Sequence, residues 1–395
     1  MSRAVVTGVG CVSALGVGFK TTMEALYQGE VQPVSHTHLV NSLKNPPAVF
    51  RVVDQIMYQQ GGDLTRTSHL ALTAVREAVK FSFGEKIDVD PRRIGVCMGT
   101  TVGSTFNEEE FYGRYLKEEN PGVEAIERYL ANDIARVVAS HLGARGPVTT
   151  VANACASGTD AIGMAKMWLD AGICDVVVAG GADELARFPF LGFHSLKNSS
   201  AERCRPFDLN RQGLNLGEGA GVVVMERESA ARQRSAQVLG VIKGYASAAD
   251  AHHMTAPHPE GRGLRQALRS ALEIADLDAK DIGFVNAHGT GTKENDRIEG
   301  QVLSDLVIPG TPVVSTKGMT GHTLGAAGGL EAVLSIGTLL EGRSPVNVGF
   351  ESADPDCVLV PAVQQTTIER NVAVSTSLAF GGANSVLVIT GAEGG

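Results

Sequence analysis

The chain has 395 residues, 43% of them hydrophobic and 19% charged, with a net charge of −9. That balance excludes a disordered chain and suits one large α/β body or two fused domains, and the negative sign speaks against a general nucleic-acid or anionic-membrane binder. Six scattered cysteines (11, 97, 155, 174, 204 and 357) with no CxxC pair argue against a disulfide scaffold or a thiolate zinc site and fit a reducing cytosol.

In chain order, MSRAVVTGVGCVSALG has no basic region before a long apolar run, so no signal peptide is expected. No apolar stretch is read as reaching the roughly 18 residues of a membrane span, and a cytoplasmic location follows. The run AVVTGV is the first strand. TGVGCVSALG imitates a dinucleotide-binding loop, but Ser13 stands where the third glycine belongs and no acidic residue ends a following strand about 20 residues on, so it reads as a structural glycine turn. Residues 30–66 and 104–130 have weak periodicity and look like insertions on a core. TSHLALTAVREAVKFS has helix periodicity, and RIGVCMG, DVVVAGG and GAGVVVME are continuous apolar strands buried on both faces. The charged segment ERESAARQRSAQ, Glu226 to Gln237, then divides the chain into 1–237 and 238–395. Beyond it come the helix GLRQALRSALEIADL and the strands IGFVNAHG, PVVSTKG, VAVSTS and SVLVIT, an alternation that indicates layered α/β architecture. A faint repeat links NACASGTDAIG to TGHTLGAAGGLEA: each is a glycine-rich turn and a small-residue helix start after a strand.

Cys155 lies in TTVANACASGTDAIGMAK, between a β-like segment and the helix-like ASGTDAIGMAKMWLDAG. A thiol in such a turn meets free amides and the positive end of the helix dipole, which favour thiolate. Small neighbours let a carbonyl approach, and the amides can hold an oxyanion. On its own, a lone cysteine is more often a small core hydrophobe, as is expected of the other five. Two histidines alter that balance. His288 follows the strand of FVNAHGTGTKEND, and His322 follows that of VVSTKGMTGHTLGAAGG, both at strand ends where open α/β sheets build their sites. A Cys/His/His zinc site competes, but no carboxylate–histidine signature accompanies it.

NACASG, RPFDLNRQGLNLGEGAG, AADAHHMTAP, NAHGTGTKEND, STKGMTGHTLGAAGGLEA and SLAFGGANS together resemble a β-ketoacyl-ACP synthase of the I/II type, in the family's order and across almost the whole chain. The resemblance implies a thiolase fold, two similar α/β halves forming a five-layered αβαβα body. It implies a decarboxylating Claisen condensation in fatty-acid or type II polyketide or polyene synthesis, with no metal or redox cofactor because the substrates ride on the phosphopantetheine of an acyl-carrier protein. The partners implied are that carrier and a second subunit, as a homodimer or as a heterodimer with a chain-length-factor-like chain. Cys155 would accept the acyl chain, His288 and His322 would promote decarboxylation of malonyl-ACP, and Lys317 and Glu331 would support them. Thr255, Thr290 and Thr292 match pantetheine contacts. Phe380, Gly381 and Gly382 match a gating loop, and the amides of Cys155 and Phe380 would form the oxyanion hole.

Departures from the pattern bear on specificity. RQGL replaces RDGF and LAFGG replaces FGFGG, so Leu214 and Leu378 should reshape the acyl pocket, together with Val102. Ile134, Leu130 and Tyr129 would reach the neighbouring subunit's pocket, and Asn153 is an unusual neighbour of the thiol. MYQQGGDLTRTSH offers only Arg66 to grip an acidic carrier, with Lys197, Arg203 and Arg205 as substitutes, which points to a specialised carrier. Competing functions are a non-catalytic chain-length subunit, which would lack the nucleophile, and a cysteine hydrolase, which leaves the second histidine unexplained. A thiolase would carry a second reactive cysteine in SLAFGGANS, and none is there.

Overall fold

The computed structural model describes residues 3–35, 43, 45–52, 64–103, 109–117 and 119–392. Ten strands form one sheet path, with Gly16–Val17 as a short hairpin partner of the first. In chain order they are β1 (Ala4–Ser13), β2 (Ile94–Gly99), β3 (Val148–Val151), β4 (Val176–Asp183), β5 (Gly219–Arg227), β6 (Gly240–Ala249), β7 (Phe284–Asn286), β8 (Val313–Val314), β9 (Val372–Ala379) and β10 (Ala383–Gly391). From one edge they run β3-β2-β4-β5-β1-β6-β10-β9-β7-β8. Strands one to five therefore follow the order 3-2-4-5-1, and strands six to ten repeat it in mirror sequence outward from the junction. The halves meet where β1 and β6 pair antiparallel, Ala4 opposite Ile242 and Val6 opposite Gly240. The repeat that is faint in the sequence is explicit in the topology.

The helices are α1 (Arg66–Phe83), α2 (Ile134–Leu142), α3 (Ser157–Asp170), α4 (Arg262–Ala275), α5 (Lys293–Leu306) and α6 (Ala327–Glu341), besides shorter ones in the connections. α1 and α2 cover the outer face of the first half, α4 that of the second. α3 and α6 lie between the halves and pack on strands of both, giving five layers. Double coverage explains why β1, β2 and β4 are buried at every position and read as unbroken apolar runs. β6, absent from the sequence expectation, is buried at its start and increasingly exposed toward its end, where Ser247 and Ala249 are exposed, and carries no such run. The expected insertion 104–130 contains helices Glu109–Tyr115 and Glu124–Ala131, while much of 30–66 lies outside the described residues.

Two expectations need correction. Gly8 and Gly10 do not make a turn: both lie within β1, where a Cβ would come within 2.1 Å of the Ala78 carbonyl and 2.0 Å of the Ala74 carbonyl of α1. They are glycine so that α1 can approach the strand. The run Leu324–Glu341 does reach the length of a membrane span, and it is buried between the halves as a core helix.

Glycines also set the middle layer. A Cβ on Gly158 would lie 2.7 Å from Gly325 O and 2.7 Å from Gly329 N, and one on Gly328 would strike Thr159. The small residues that follow Cys155 and His322 thus bring the starts of α3 and α6 into backbone contact. Replacing Gly158 by Val inserts a branched side chain into this seam, and a loss of about 3 kcal/mol is expected from overpacking, read as a lower urea midpoint at unchanged slope.

Candidate active site

The turn between β3 and α3 ends at Cys155, two residues before the helix, and Ala154 before it is held at φ +45°. A left-handed alanine costs of order 1 kcal/mol and persists only where its surroundings impose it. His322 follows the one-turn helix Lys317–Thr320, and its backbone is clamped on both sides: His322 N–H donates to Asn215 O at 2.7 Å, and Gly217 N–H donates to His322 O at 3.0 Å. Leu324, two residues on, is also left-handed at φ +53°. The helix starts therefore present thiol and imidazole to each other, with His322 Nε2 3.0 Å from Cys155 Sγ. His288, past the end of β7, sets its ring 5.1 Å from that of His322 at 84°, edge to face.

Lys317 is buried and salt-bridged to Glu331 on α6. Its Nζ also lies 3.3 Å from His288 Nδ1. An ammonium cannot accept, so Nδ1 accepts and the His288 proton belongs on Nε2. Burial, reinforced by Lys317, drives the pKa of both histidines well below the ordinary imidazole value, with His322 adding to the effect on His288. Burial also pushes the Cys155 thiol up to about 12, against the opposing pull of Lys317 and of the Phe380 and Cys155 amides. Desolvation thus works against the thiolate that the amides of the turn favour. Glu331 is raised to about 7, chiefly by burial, with Lys317 opposing.

The three donors Cys155, His288 and His322 lie within 4.8 Å of one another, close enough to hold a metal ion. The Lys317 ammonium beside His288 places a fixed positive charge against any such dication. The donor set fits proton transfer better than ligation.

A cavity of about 370 Å³ opens onto Cys155 and both histidines. Thr255, Thr290 and Thr292 line it, the last two hydroxyls 2.9 Å apart, as do Leu214, Leu378 and Phe380. Phe380 packs against Phe193 of the helix Arg187–Ser195, ring centroids 5.3 Å apart and planes tilted by 38°. Gly381 and Gly382, at φ +89° and +83°, turn the chain so that Gly381 N–H donates to Met254 O at 2.7 Å. Val102 does not line the cavity; it lies in an apolar cluster with Leu214, Leu185, Phe190 and Leu324. Ile134 is 1% exposed in the core under α1 and has no surface to offer a second subunit, whereas Tyr129 and Leu130 are exposed. Asn153 donates to Asp160 rather than facing the thiol.

The basic residues also fall differently. Arg66 is bound to Glu218 through two nitrogens, and Arg203 donates to the Gly318 and Val31 carbonyls, so both are committed inside the fold. Arg205 pairs with Glu351 at 2.9 Å. Lys197 lines the cavity and is exposed, as is Lys293, which sequence reasoning passed over.

Other residues missed by sequence reasoning hold the site together. Glu299, buried on α5, accepts from His288 N–H at 2.8 Å, Gly289 N–H at 2.7 Å and Thr376 Oγ1 at 2.6 Å. Asp296, one turn earlier, accepts from Phe207 N–H at 2.7 Å and Gly291 N–H at 3.2 Å. Two acids three apart on the face that also carries Ile298 and Val302 were the available signal.

Residues 1–231 match the beta-ketoacyl synthase N-terminal domain and residues 239–351 the C-terminal domain of that family. A thiolase-type αβαβα body with a thiol and two imidazoles at one cavity defines a condensing enzyme, and the chain belongs to the β-ketoacyl synthase family. It is 34% identical to a 3-oxoacyl-[acyl-carrier-protein] synthase 2 of Staphylococcus aureus, over 98% of this chain and 97% of that one. It is also 34% identical to the tetracenomycin polyketide synthase ketoacyl synthase alpha subunit of Streptomyces glaucescens, over 98% and 96%. Among solved structures, the ishigamide ketosynthase/chain length factor superposes with a TM-score of 0.91 at 28% identity, covering 99% of this chain and 100% of that one. The Xenorhabdus doucetiae ketosynthase ApeO, solved with its chain length factor ApeC, gives 0.85 at 30%, over 99% and 98%.

Both imidazoles should titrate below 6.5 by NMR of histidine-labelled protein, so that they stay neutral as pH falls through the ordinary histidine range. Lys317→Met removes the charge that opposes their protonation, and both midpoints should rise.

Proposed function

We propose that the chain condenses an acyl group held on Cys155 with malonyl-ACP to give a β-ketoacyl-ACP. The observation that carries this reading is the 3.0 Å contact between Cys155 Sγ and His322 Nε2 in a buried site that also holds His288. In the first step the thiol attacks the thioester carbonyl of an acyl-ACP. Its proton passes to His322 Nε2 as the carbon–sulfur bond forms, and then to the departing phosphopantetheine sulfur. Malonyl-ACP then loses carbon dioxide, and its thioester oxygen becomes an enolate. His288 Nε2–H, fixed in that tautomer by Lys317, donates to this oxygen beside His322. The enolate carbon attacks the acyl-Cys155 carbonyl, whose oxygen is received by the Cys155 and Phe380 amides, and collapse breaks the carbon–sulfur bond and expels the Cys155 thiolate, which takes a proton from solvent to restore the thiol.

Glu331 neutralises Lys317, and Thr255, Thr290 and Thr292 offer polar contacts along a phosphopantetheine path. Phe380, with Gly381 and Gly382 as its hinge, gates that path. Leu214 and Leu378 shape the acyl pocket directly, and Val102 acts from behind Leu214. Residues 1–237 and 238–395 are the two halves of the enzyme. A cytoplasmic setting agrees with six cysteines that are all free and buried. A non-catalytic chain-length subunit is disfavoured, since the nucleophile and both histidines are present and face one cavity.

The two ketosynthases matched above were solved with chain length factors. We take an acyl-carrier protein as the partner here, with a second subunit of this chain or of a chain-length-factor type. Residues 52–65 contain no Lys or Arg, and Arg66 is committed to Glu218, which supports a specialised carrier met mainly by Lys197 and Lys293.

Cys155→Ala should abolish acyl loading from acyl-ACP, read by mass spectrometry of the protein; acylation at another cysteine refutes the assignment. Cys155→Gln should decarboxylate malonyl-ACP without condensing it, read as carbon dioxide release without β-ketoacyl product. Lys197→Ala with Lys293→Ala should raise KM for the carrier about tenfold at low salt and little at high salt, with kcat retained.

A further inference from the structure

Asp183 is a buried acid whose charge bears on Cys155 and which the chemistry above does not use. It ends β4, is fully buried, and pairs with no lysine or arginine among the described residues. Its carboxylate is instead held in a nest of donors. Oδ1 accepts from Thr100 Oγ1 at 2.5 Å, Val102 N–H at 3.0 Å and Gly103 N–H at 3.3 Å. Oδ2 accepts from Thr101 N–H at 2.9 Å and Gly325 N–H at 2.7 Å.

These donors belong to the two sides of the site. Thr101 Oγ1 donates at 2.9 Å to the carbonyl of Ala154, the left-handed residue just before Cys155. Gly325 lies in the turn that follows His322, one residue beyond the left-handed Leu324. A Cβ on Gly325 would lie 2.6 Å from Thr100 C and Thr101 N, so the loop and the turn touch backbone to backbone around the carboxylate. One acid thus ties both strained segments, and with them the separation of Sγ and Nε2.

Its charge has a second consequence. The ionisable groups that bear on Cys155 are Lys317, which favours thiolate, Asp183, which opposes it, and the imidazoles of His322 and His288. Around Asp183 itself the ionisable neighbour is Glu184, and burial raises the pKa of both acids, Asp183 to about 6 and Glu184 to about 8.

Building on Cys155 as the acyl acceptor, we propose that Asp183 is a positioning residue: it sets the Cys155–His322 contact through the Thr101–Ala154 and Gly325 hydrogen bonds. The test uses the intact protein, with single-turnover acylation from acyl-ACP and the pH profile of Cys155 alkylation by iodoacetamide, both read by peptide mass spectrometry. Asp183→Asn turns one acceptor oxygen into a donor facing N–H groups. Acylation should slow by at least about tenfold, as for a lost hydrogen bond to a charged group, while the alkylation profile moves to lower pH. Slow acylation with an unmoved alkylation profile, or wild-type acylation, overturns the proposal. Thr101 is exposed, so Thr101→Val decides the matter if the asparagine variant fails to fold. Thr101→Val should slow acylation several-fold and Thr101→Ser restore it; equal rates in both overturn the positioning role. A wild-type enzyme that loads no acyl group on Cys155 refutes the assignment of the nucleophile instead, and the alkylation profile still reports on Asp183.

Discussion

The backbone contact between the starts of α3 and α6 is the constraint on which the site depends. A thiol and an imidazole can be held 3.0 Å apart only if the segments bearing them are fixed to a fraction of that distance. Flexible side chains between the helices would leave that separation loose. Gly158, Gly325, Gly328 and Gly329 remove them, so peptide groups of the two halves meet directly. The identical strand order of the halves makes the arrangement possible, because each delivers a glycine-rich helix start to the same central layer. Cys155 precedes one such start and His322 the other, so the reacting pair is assembled across the internal repeat.

That burial then governs the electrostatics. With water excluded, a lone charge is costly, and the groups near the cavity settle into forms that avoid it. Burial disfavours the charged forms of both imidazoles and of the thiol, while Lys317 is matched by Glu331. Acids at the margins are met by backbone N–H groups more than by cations: Glu299 by His288 and Gly289, Asp296 by Phe207 and Gly291, Asp183 by the 101–103 loop and Gly325. Such nests order loops without putting another positive charge beside the nucleophile. In the proposed mechanism the thiol gives up its proton to His322 as the new bond forms, which ties its activation to the presence of a thioester.

The candidate site residues were legible in the sequence because they stand in short motifs that resemble those of a known family. Cys155, His288 and His322 each stand at a strand end beside small residues, and Lys317 and Thr290 travel in the same short motifs. Residues that act through packing were less legible. Arg66 looked like a free cation, since nothing near it in sequence announces Glu218, 152 positions away. Ile134 looked available to a second subunit, yet α2 turns it into the core. The small residues after Cys155 suggested room for substrate, and their first use is the contact with α6.

The sequence by itself indicated the α/β class through its apolar runs and glycine turns, and its six motifs, by their resemblance to a known family, implied the doubled architecture and pointed to Cys155, His288 and His322, because such motifs are properties of neighbours along the chain. Only the tertiary structure decided the ionisation of those groups and the partners that hold them. Desolvation, the reach of Lys317 to His288 and the grip of Asp183 on two distant loops are sums over residues far apart in sequence. No local pattern contains them.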